Sequence, residues 1–371
     1  MRVGCPKEIK NHEYRVGLTP AAAREYVHHG HEVLIETTAG AGIGANDEAY
    51  QDAGATIVDS ASEVFAKSDM VVKVKEPQKA EYQQLRPGQI LYTYLHLAAD
   101  KLQTEGLMAS GCTAIAYETV TGPTGGLPLL APMSEVAGRL SIQAAARSLE
   151  AHAGGEGLLL GGVPGVAPAK VTVIGGGVVG TQAAKMAVGL GAEVSILDRY
   201  LPRLRQLDDQ FGGRIRTLYS TNEAIASEVA AADVVIGSVL IPGASAPKLV
   251  TAEMIKTMRP GTVVVDVAID QGGCFETSHA TTHADPTYLV DGVIHYCVAN
   301  MPGAVPKTSS YALGNATLHH GLMLADLGLE AIIRDPHLRA GLNVHKGQVV
   351  NQQVAESLSL DYYDPSKALA A

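Results

Sequence analysis

The stretch Val171-Thr172-Val173-Ile174-Gly175-Gly176-Gly177-Val178-Val179-Gly180 decides the fold. A β-branched apolar run enters a G-x-G-x-x-G turn, a helical pattern leaves it, and Asp198 closes the next apolar run, A-E-V-S-I-L-D. Gly175 allows the tight turn, Gly177 lets backbone approach a pyrophosphate, and Gly180 lets the helix pack on the strand. The pyrophosphate is expected at the helix N-terminus, where unpaired N–H groups and the helix dipole favour an anion. The Asp198 carboxylate suits the ribose hydroxyls of a dinucleotide and repels a 2′-phosphate, which favours NAD over NADP. Arg199 beside it works against that preference.

The turn begins nearly halfway along 371 residues, so something else fills the first half. The length suits two ordinary domains. A net charge of −10 and the lack of any Lys/Arg run argue against a nucleic-acid partner and for small-molecule chemistry. Four scattered cysteines, at 5, 112, 274 and 297, fit reduced thiols in the cytoplasm better than a disulfide framework. The N-terminal Met1 to Lys10 segment lacks the apolar core of an export signal. The most apolar stretch, Gly157 to Ala169, is too short to span a membrane and carries Pro164 and Pro168, so it reads as a loop feeding the dinucleotide strand.

Short β-branched runs alternate with helical patterns along the chain, which predicts parallel sheets with helices on both faces. Val33 to Ile35, Met70 to Val74, Ile90 to Leu95 and Thr113 to Ala116 read as strands of the first half. Ile215 to Tyr219, Val234 to Ile236 and Thr262 to Val265 complete the dinucleotide unit. Gly40, Gly42 and Gly44 follow a strand, but their spacing is wrong for phosphate binding and they read as a loop. Ser134 reads as the cap of a helix over Glu135 to His152. Asn300 to Pro306 breaks both patterns, and helices are expected from Ser309 to about Ser359. These helices are expected to pack back on the first half. The expected fold is therefore two doubly wound, Rossmann-like α/β domains with a cleft between them: a discontinuous substrate domain, 1–132 plus 303–371, and an NAD-binding domain, 133–302.

Open α/β sheets bind ligands beyond the carboxyl ends of their strands. Lys75 ends M-V-V-K-V-K, His96 ends I-L-Y-T-Y-L-H, and Asp270 follows V-V-V-D-V-A-I-D. Arg15 lies in a loop before Thr19-Pro20. A hydride-transfer enzyme acting on a small amino or hydroxy acid needs a cation for the carboxylate and a group that moves protons near neutral pH. Arg15 and Lys75 offer the first, and His96 the second. Each has a plainer reading: Lys75 as a solvated strand end on the same face as Lys73, Arg15 as a surface cation, and Asp266 or Asp270 as a loop-capping carboxylate.

The residues carry a recognisable pattern: P-K-E-I-K at 6–10 with Glu13, Arg15, Val16 and Pro20; V-K-V-K-E-P at 72–77; Y-T-Y-L-H-L at 92–97; A-P-M-S-E-V-A-G-R at 131–139; V-D-V-A-I-D-Q-G-G at 265–273; and N-M-P-G-A-V-P at 300–306. With these, the chain resembles the bacterial L-alanine dehydrogenase family, whose N-terminal signature is shared with the dinucleotide subunit of proton-translocating transhydrogenase. The resemblance implies reversible, NAD-dependent deamination of L-alanine to pyruvate and ammonium. It implies that Arg15 and Lys75 hold the substrate carboxylate while His96 and Asp270 do the acid and base work. Cofactor contacts are implied for Ser134, Gly175, Gly177, Val178, Val179, Gly180, Asp198, Arg203, Ser220, Val239, Leu240, Val267, Ala268, Ile269, Asp270, Val298, Ala299, Asn300 and Met301. A homo-hexamer without a membrane partner is also implied. The sequence departs from some relatives at His279, where an arginine often touches the cofactor. It departs again at Leu327 after Asp326, where some members carry a histidine that joins Glu118 at magnesium, so no metal is expected. The alternative reading is a soluble transhydrogenase-type subunit that passes hydride between two nucleotides.

Overall fold

The computed structural model describes residues 1–239 and 246–370. The chain divides into two compact units, Met1–Met133 with Gly303–Ala371, and Ser134–Pro302. The first unit opens with six strands: β1 (Arg2–Cys5), β2 (Glu32–Glu36), β3 (Thr56–Val58), β4 (Met70–Val72), β5 (Ile90–Thr93) and β6 (Thr113–Ala116). They pair in parallel in the order β3-β2-β1-β4-β5-β6. Every residue of β4, β5 and β6 is buried, as a sheet covered on both faces by crossover helices requires. Thr19 caps helix Pro20–His28 by accepting from the Ala22 N–H, and Pro20 occupies the first helical position, where its missing N–H costs nothing. Gly40, Gly42 and Gly44 lie in and beside a short 3₁₀ turn, and Asn46 caps the helix Asp47–Gln51 that follows.

The second unit continues with β7 (Lys170–Ile174), β8 (Glu193–Asp198), β9 (Arg216–Tyr219), β10 (Val234–Gly237), β11 (Val263–Asp266), β12 (Thr287–Val290) and β13 (Val293–Tyr296). Its sheet order is β9-β8-β7-β10-β11-β13, all parallel, with β12 antiparallel on the outer edge. Counting only the parallel strands, both units show the 3-2-1-4-5-6 order of a doubly wound dinucleotide fold, which reverses direction between β1 and β4 and between β7 and β10. Ile174, Val235, Val264 and Phe275 centre the second core, none of them exposed.

The chain then adds β14 (Leu342–His345) and β15 (Gln348–Val349) to the first sheet. β14 lies antiparallel on β6, pairing Val344 with Ala114 and His345 with Thr113. This corrects the expectation of helices throughout Ser309 to Ser359: helices run over Pro306–Leu327, Leu329–Arg334, Pro336–Arg339 and Gln352–Leu358, with the hairpin between. The overlooked signal is Lys346-Gly347, a two-residue turn with φ of 46° and 82°, the twist a tight hairpin needs. Asp291-Gly292 makes the same turn between β12 and β13. A second correction concerns Ser134. The helix runs over Ala131–Ser148, so Ser134 lies inside it rather than at its cap, and Pro132 sits in the first turn, where a proline starts a helix without losing a bond.

Burial on β14 has a thermodynamic consequence. His345 is 1% exposed, its Nδ1 pairs with Thr113 Oγ at 2.9 Å, and its Nε2 has no hydrogen-bond partner. Burial, with Lys346 beside it, holds the imidazole below its ordinary pKa of 6.5. The unfolded chain therefore binds a proton that the folded chain refuses. Stability supplied by the neutral ring is complete above pH 6.5 and is lost as pH falls toward the lowered folded value. In urea titrations between neutral and mildly acidic pH, His345→Gln is expected to flatten the fall in stability seen for the parent; parallel pH profiles for the two proteins contradict this.

Candidate active site

In the second unit, β7 delivers the chain to Gly175, whose φ of 104° no side-chain-bearing residue adopts readily. Gly177 is the N-cap of the twelve-residue helix Val178–Gly189, and a Cβ placed on it would meet nothing within 4 Å. A Cβ on Gly180 would lie 1.9 Å from the Gly175 carbonyl oxygen, so the helix approaches the turn as only glycine permits. The Ser238 hydroxyl, at the end of β10, donates to the carbonyls of Ile174 and Gly175 at 2.8 and 2.9 Å and ties together the two strands that flank the reversal. No motif marks this serine for the task, because its partners lie more than sixty residues away in the chain.

Asp198 ends β8 and already works on the turn: its oxygens accept the N–H groups of Gly176 at 2.7 Å and Tyr200 at 2.8 Å. The Ser220 N–H donates to the Asp198 carbonyl at 3.1 Å, which sets Ser220 beside it. Arg203 donates to the Gly176 carbonyl and to the Thr181 hydroxyl, both at 2.6 Å, so this guanidinium braces the loop. Val178 is exposed at the helix start, and a Cβ on Gly138 would lie 2.3 Å from the Val179 carbonyl, so the Ala131–Ser148 helix packs tightly there. Ser134 is partly buried in that helix. The Val239 carbonyl accepts the Cys274 thiol at 3.7 Å, and Leu240 lies outside the described residues.

Beyond β11 the two aspartates separate in role. Asp266 is fully buried and accepts the N–H groups of Ala268, Cys274 and Phe275 and the Ser278 hydroxyl, so it is the loop-organising carboxylate. Burial nonetheless pushes its carboxyl above the ordinary 3.8, against these donors. Asp270 is exposed on the 3₁₀ turn Ile269–Gln271, its oxygens 3.3 and 3.4 Å from the Asn300 N–H. Val267 donates to the Gly237 carbonyl at 2.9 Å, Ala268 and Ile269 are buried beneath the turn, and Asn300 takes the left-handed conformation between Val298, Ala299 and Met301. His279 stacks on Tyr288 with ring centroids 3.7 Å apart, and its N–H donates to the Tyr288 hydroxyl.

The first unit gathers Arg15, Lys75 and His96. Arg15 is 2% exposed, far from a surface cation: its Nε and Nη2 donate to the two oxygens of buried Glu13 at 2.7 and 2.5 Å, and its Nη1 lies 3.1 Å from Met133 Sδ. Burial opposes its charge, but the bonds and charge of Glu13 outweigh burial and hold the guanidinium above its ordinary pKa. The Lys75 side chain is 13% exposed and its Nζ faces Glu76 at 3.9 Å. Burial pushes the Glu76 carboxyl up; Lys75, Lys10 and His96 more than offset it and leave it below 4.5.

The plainer reading of Lys75 as a solvated strand end is corrected, because the face it shares with Lys73 is covered. Lys73 is 0% exposed and paired with Glu8 and Glu81, partners far enough away in sequence that periodicity could not reveal them. His96 follows β5 in the left-handed region, φ 50° and ψ 36°. Glu118 holds that bend by accepting the N–H of Leu95 at 3.2 Å and of His96 at 2.6 Å, and its Oε1 lies 3.9 Å from His96 Nδ1. The His96 ring lies parallel to Tyr94, with 5.7 Å between centroids. Asp326 binds His29 and His31, and among the described residues no group of three His, Cys, Asp or Glu side chains is placed to hold a metal ion.

Two family models cover most of the chain, the second of them running past residue 302 into the returning C-terminal segment of the first unit. A family model described as alanine dehydrogenase/PNT, N-terminal domain, matches residues 4–137, and one described as alanine dehydrogenase/PNT, C-terminal domain, matches residues 141–352. The chain belongs to the alanine dehydrogenase/PNT family. It is 57% identical to the alanine dehydrogenase of Halomonas elongata over 370 residues, covering all of both chains. A solved L-alanine dehydrogenase matches with a TM-score of 0.94 at 55% identity, covering 97% of this chain and 99% of that one. A solved transhydrogenase from Sinorhizobium meliloti matches with a TM-score of 0.82 at 27% identity, covering 95% and 99%. Membership of the alanine dehydrogenase/PNT family makes the protein an enzyme, an oxidoreductase of Rossmann-type fold in a dinucleotide-binding family.

Proposed function

We propose that the protein is an NAD-dependent L-alanine dehydrogenase that interconverts L-alanine, NAD and water with pyruvate, ammonium, NADH and a proton. The observation that carries this reading is full-length identity of 57% to an alanine dehydrogenase, more than twice the 27% shared with a transhydrogenase. The open side of Gly177, at the N-terminus of a twelve-residue helix, fits a pyrophosphate, and Asp198 beside it fits an unphosphorylated ribose. Bound NAD supplies the hydride acceptor.

The chain's own residues do the rest. Arg15 and Lys75 bind the substrate carboxylate and orient the Cα hydrogen, and the two-point hydrogen bonding of Arg15 to buried Glu13 limits the reorganisation this needs. Asp270 accepts hydrogen bonds from the substrate nitrogen and from the attacking water. The alanine ammonium gives up the one proton released overall before hydride leaves Cα; His96 then takes a proton from the water as it adds to the iminium carbon and returns it to the nitrogen, which departs as the carbonyl forms and keeps the hydroxyl proton as ammonium. No helix among the described residues is long and apolar enough to cross a membrane, and the reading places the enzyme in the cytoplasm as a homo-oligomer, a hexamer as the resemblance implies.

The test is NADH formation by the purified protein from a panel of small L-amino acids with NAD and with NADP. L-Alanine with NAD is expected to be the preferred pair; no turnover of L-alanine rules the proposal out, and hydride exchange between NADH and an NAD analogue without any amino acid indicates the transhydrogenase alternative. Asp198→Asn, which removes the negative charge while keeping an acceptor for Gly176, is expected to lower the NAD-over-NADP ratio of kcat/KM by about tenfold, the equivalent of about 1.4 kcal/mol. An unchanged ratio assigns the discrimination elsewhere.

A further inference from the structure

A charged cluster that the proposed chemistry does not use lies where the first sheet reverses. β1 and β4 are neighbours, and the segments leaving their carboxyl ends carry Glu8 and Arg15 on one side and Lys73 and Lys75 on the other. Lys73 is wholly buried, its Nζ donating to Glu8 Oε2 at 3.1 Å and to Glu81 Oε1 at 2.7 Å. The other oxygen of Glu8 accepts the N–H of Val74 at 2.7 Å and of Lys75 at 3.4 Å, and the other oxygen of Glu81 accepts the N–H of Gln78 at 2.7 Å. The opposite edge of the segment is held conventionally: Lys73 donates to the Tyr92 carbonyl, the Val74 carbonyl accepts from Tyr94, and the Lys75 carbonyl accepts the Thr93 hydroxyl.

Three buried ionisable groups are a poor way to gain stability, because well-packed apolar side chains of similar volume usually do as well. Apolar side chains, however, cannot accept the N–H groups of Val74 and Lys75, which have no strand beside them to pair with. Glu8 also carries the link between the two carboxylate-binding cations. Its charge acts on Arg15 as well as on Lys73, while its backbone bonds fix Lys75.

We propose that Glu8, clamped by Lys73 and Glu81, is a positioning residue for substrate-carboxylate binding: it fixes the backbone from which Lys75 reaches and so sets Lys75 against Arg15. The inference rests on the reading of Arg15 and Lys75 as the carboxylate clamp. All three are buried and act on the substrate only through Lys75.

The decisive measurement is the pyruvate KM of Glu8→Gln beside kcat, NADH affinity by fluorescence titration, and Tm. Glu8→Gln is expected to raise the pyruvate KM by about tenfold or more with kcat changed by less than about threefold, the signature of lost uniform binding. NADH affinity, which depends on the second unit, is expected to stay within about twofold. A triple variant, Glu8→Leu with Lys73→Met and Glu81→Gln, replaces the ion cluster by a volume-matched apolar pair and keeps an acceptor for Gln78. It is expected to fold with a Tm lowered only modestly, by the Val74 and Lys75 N–H groups left without an acceptor, and to show the same rise in KM. A folded triple variant with the parent's KM overturns the inference, as does a Glu8→Gln protein whose kcat falls at unchanged KM. If the parent itself fails to turn over L-alanine, the functional reading falls and takes this inference with it; a variant with normal KM in an active parent background removes the inference alone.

Discussion

His96→Ala lowers kcat in both directions by about 10²- to 10⁴-fold, the range that a positioned proton-transfer group supplies, while NADH still binds with the parent's affinity. The expectation rests on placement. His96 follows the inner strand β5, is bent into the left-handed region by Glu118, and lies parallel to Tyr94, yet its side chain stays 45% exposed and can meet a substrate. A non-glycine residue at φ 50° sits in a sparsely populated conformation. Here two consecutive N–H groups accepted by one carboxylate hold it there. Single-turnover kinetics with NADH, pyruvate and ammonium separate loss of chemistry from loss of binding. Turnover within a few-fold of the parent would remove His96 from the mechanism.

The second large effect falls on Arg15. Arg15→Met keeps most of the side-chain volume but removes the donors that Glu13 holds through Nε and Nη2 inside the unit. Breaking a buried ion pair from one side costs about 3–5 kcal/mol. A protein weakened by that amount should show a clear fall in Tm, together with a rise in the KM for pyruvate. Arg15→Met combined with Glu13→Leu removes both charges at once, and most of the lost stability should return while the raised KM remains. If the pair of substitutions restores both, Arg15 serves packing and another cation binds the carboxylate.

The part of this architecture that could be read from the sequence is the part where a single residue type is physically required. Gly175 needs a positive φ, Gly180 needs the absence of a side chain, and Asp198 needs a short carboxylate at a strand end; each requirement leaves a visible residue. Alternating β-branched runs and helical patterns likewise gave the doubly wound class. What stayed hidden depended on partners remote in sequence. Lys73 looks like its neighbour Lys75 until Glu8 and Glu81 are seen on either side of it. Leu342–His345 is too short to announce itself as a strand without the Lys346-Gly347 turn, and its pairing with β6, where Thr113 lies 232 residues before His345, has no local signal. Asp266 and Asp270 were equivalent on paper, and burial with four donors separated them. Ser134 misled for a local reason, since a good capping residue also tolerates the second turn of a helix that Pro132 has already begun.

The antiparallel strand at the edge of the first sheet also orders events during synthesis. While the chain emerges from the ribosome, β6 has a bare outer edge, and the core around Phe65, Leu91 and Leu107 lacks Val344, Val349 and Val354. Ser134–Pro302 is contiguous and has its full complement of strands before any of those residues has been made. On topology alone, the usual N-to-C order of domain folding is expected to be reversed. The second unit is expected to complete its core first, while the nascent N-terminal sheet carries an open edge able to pair with other chains until Leu342–His345 arrives to close it.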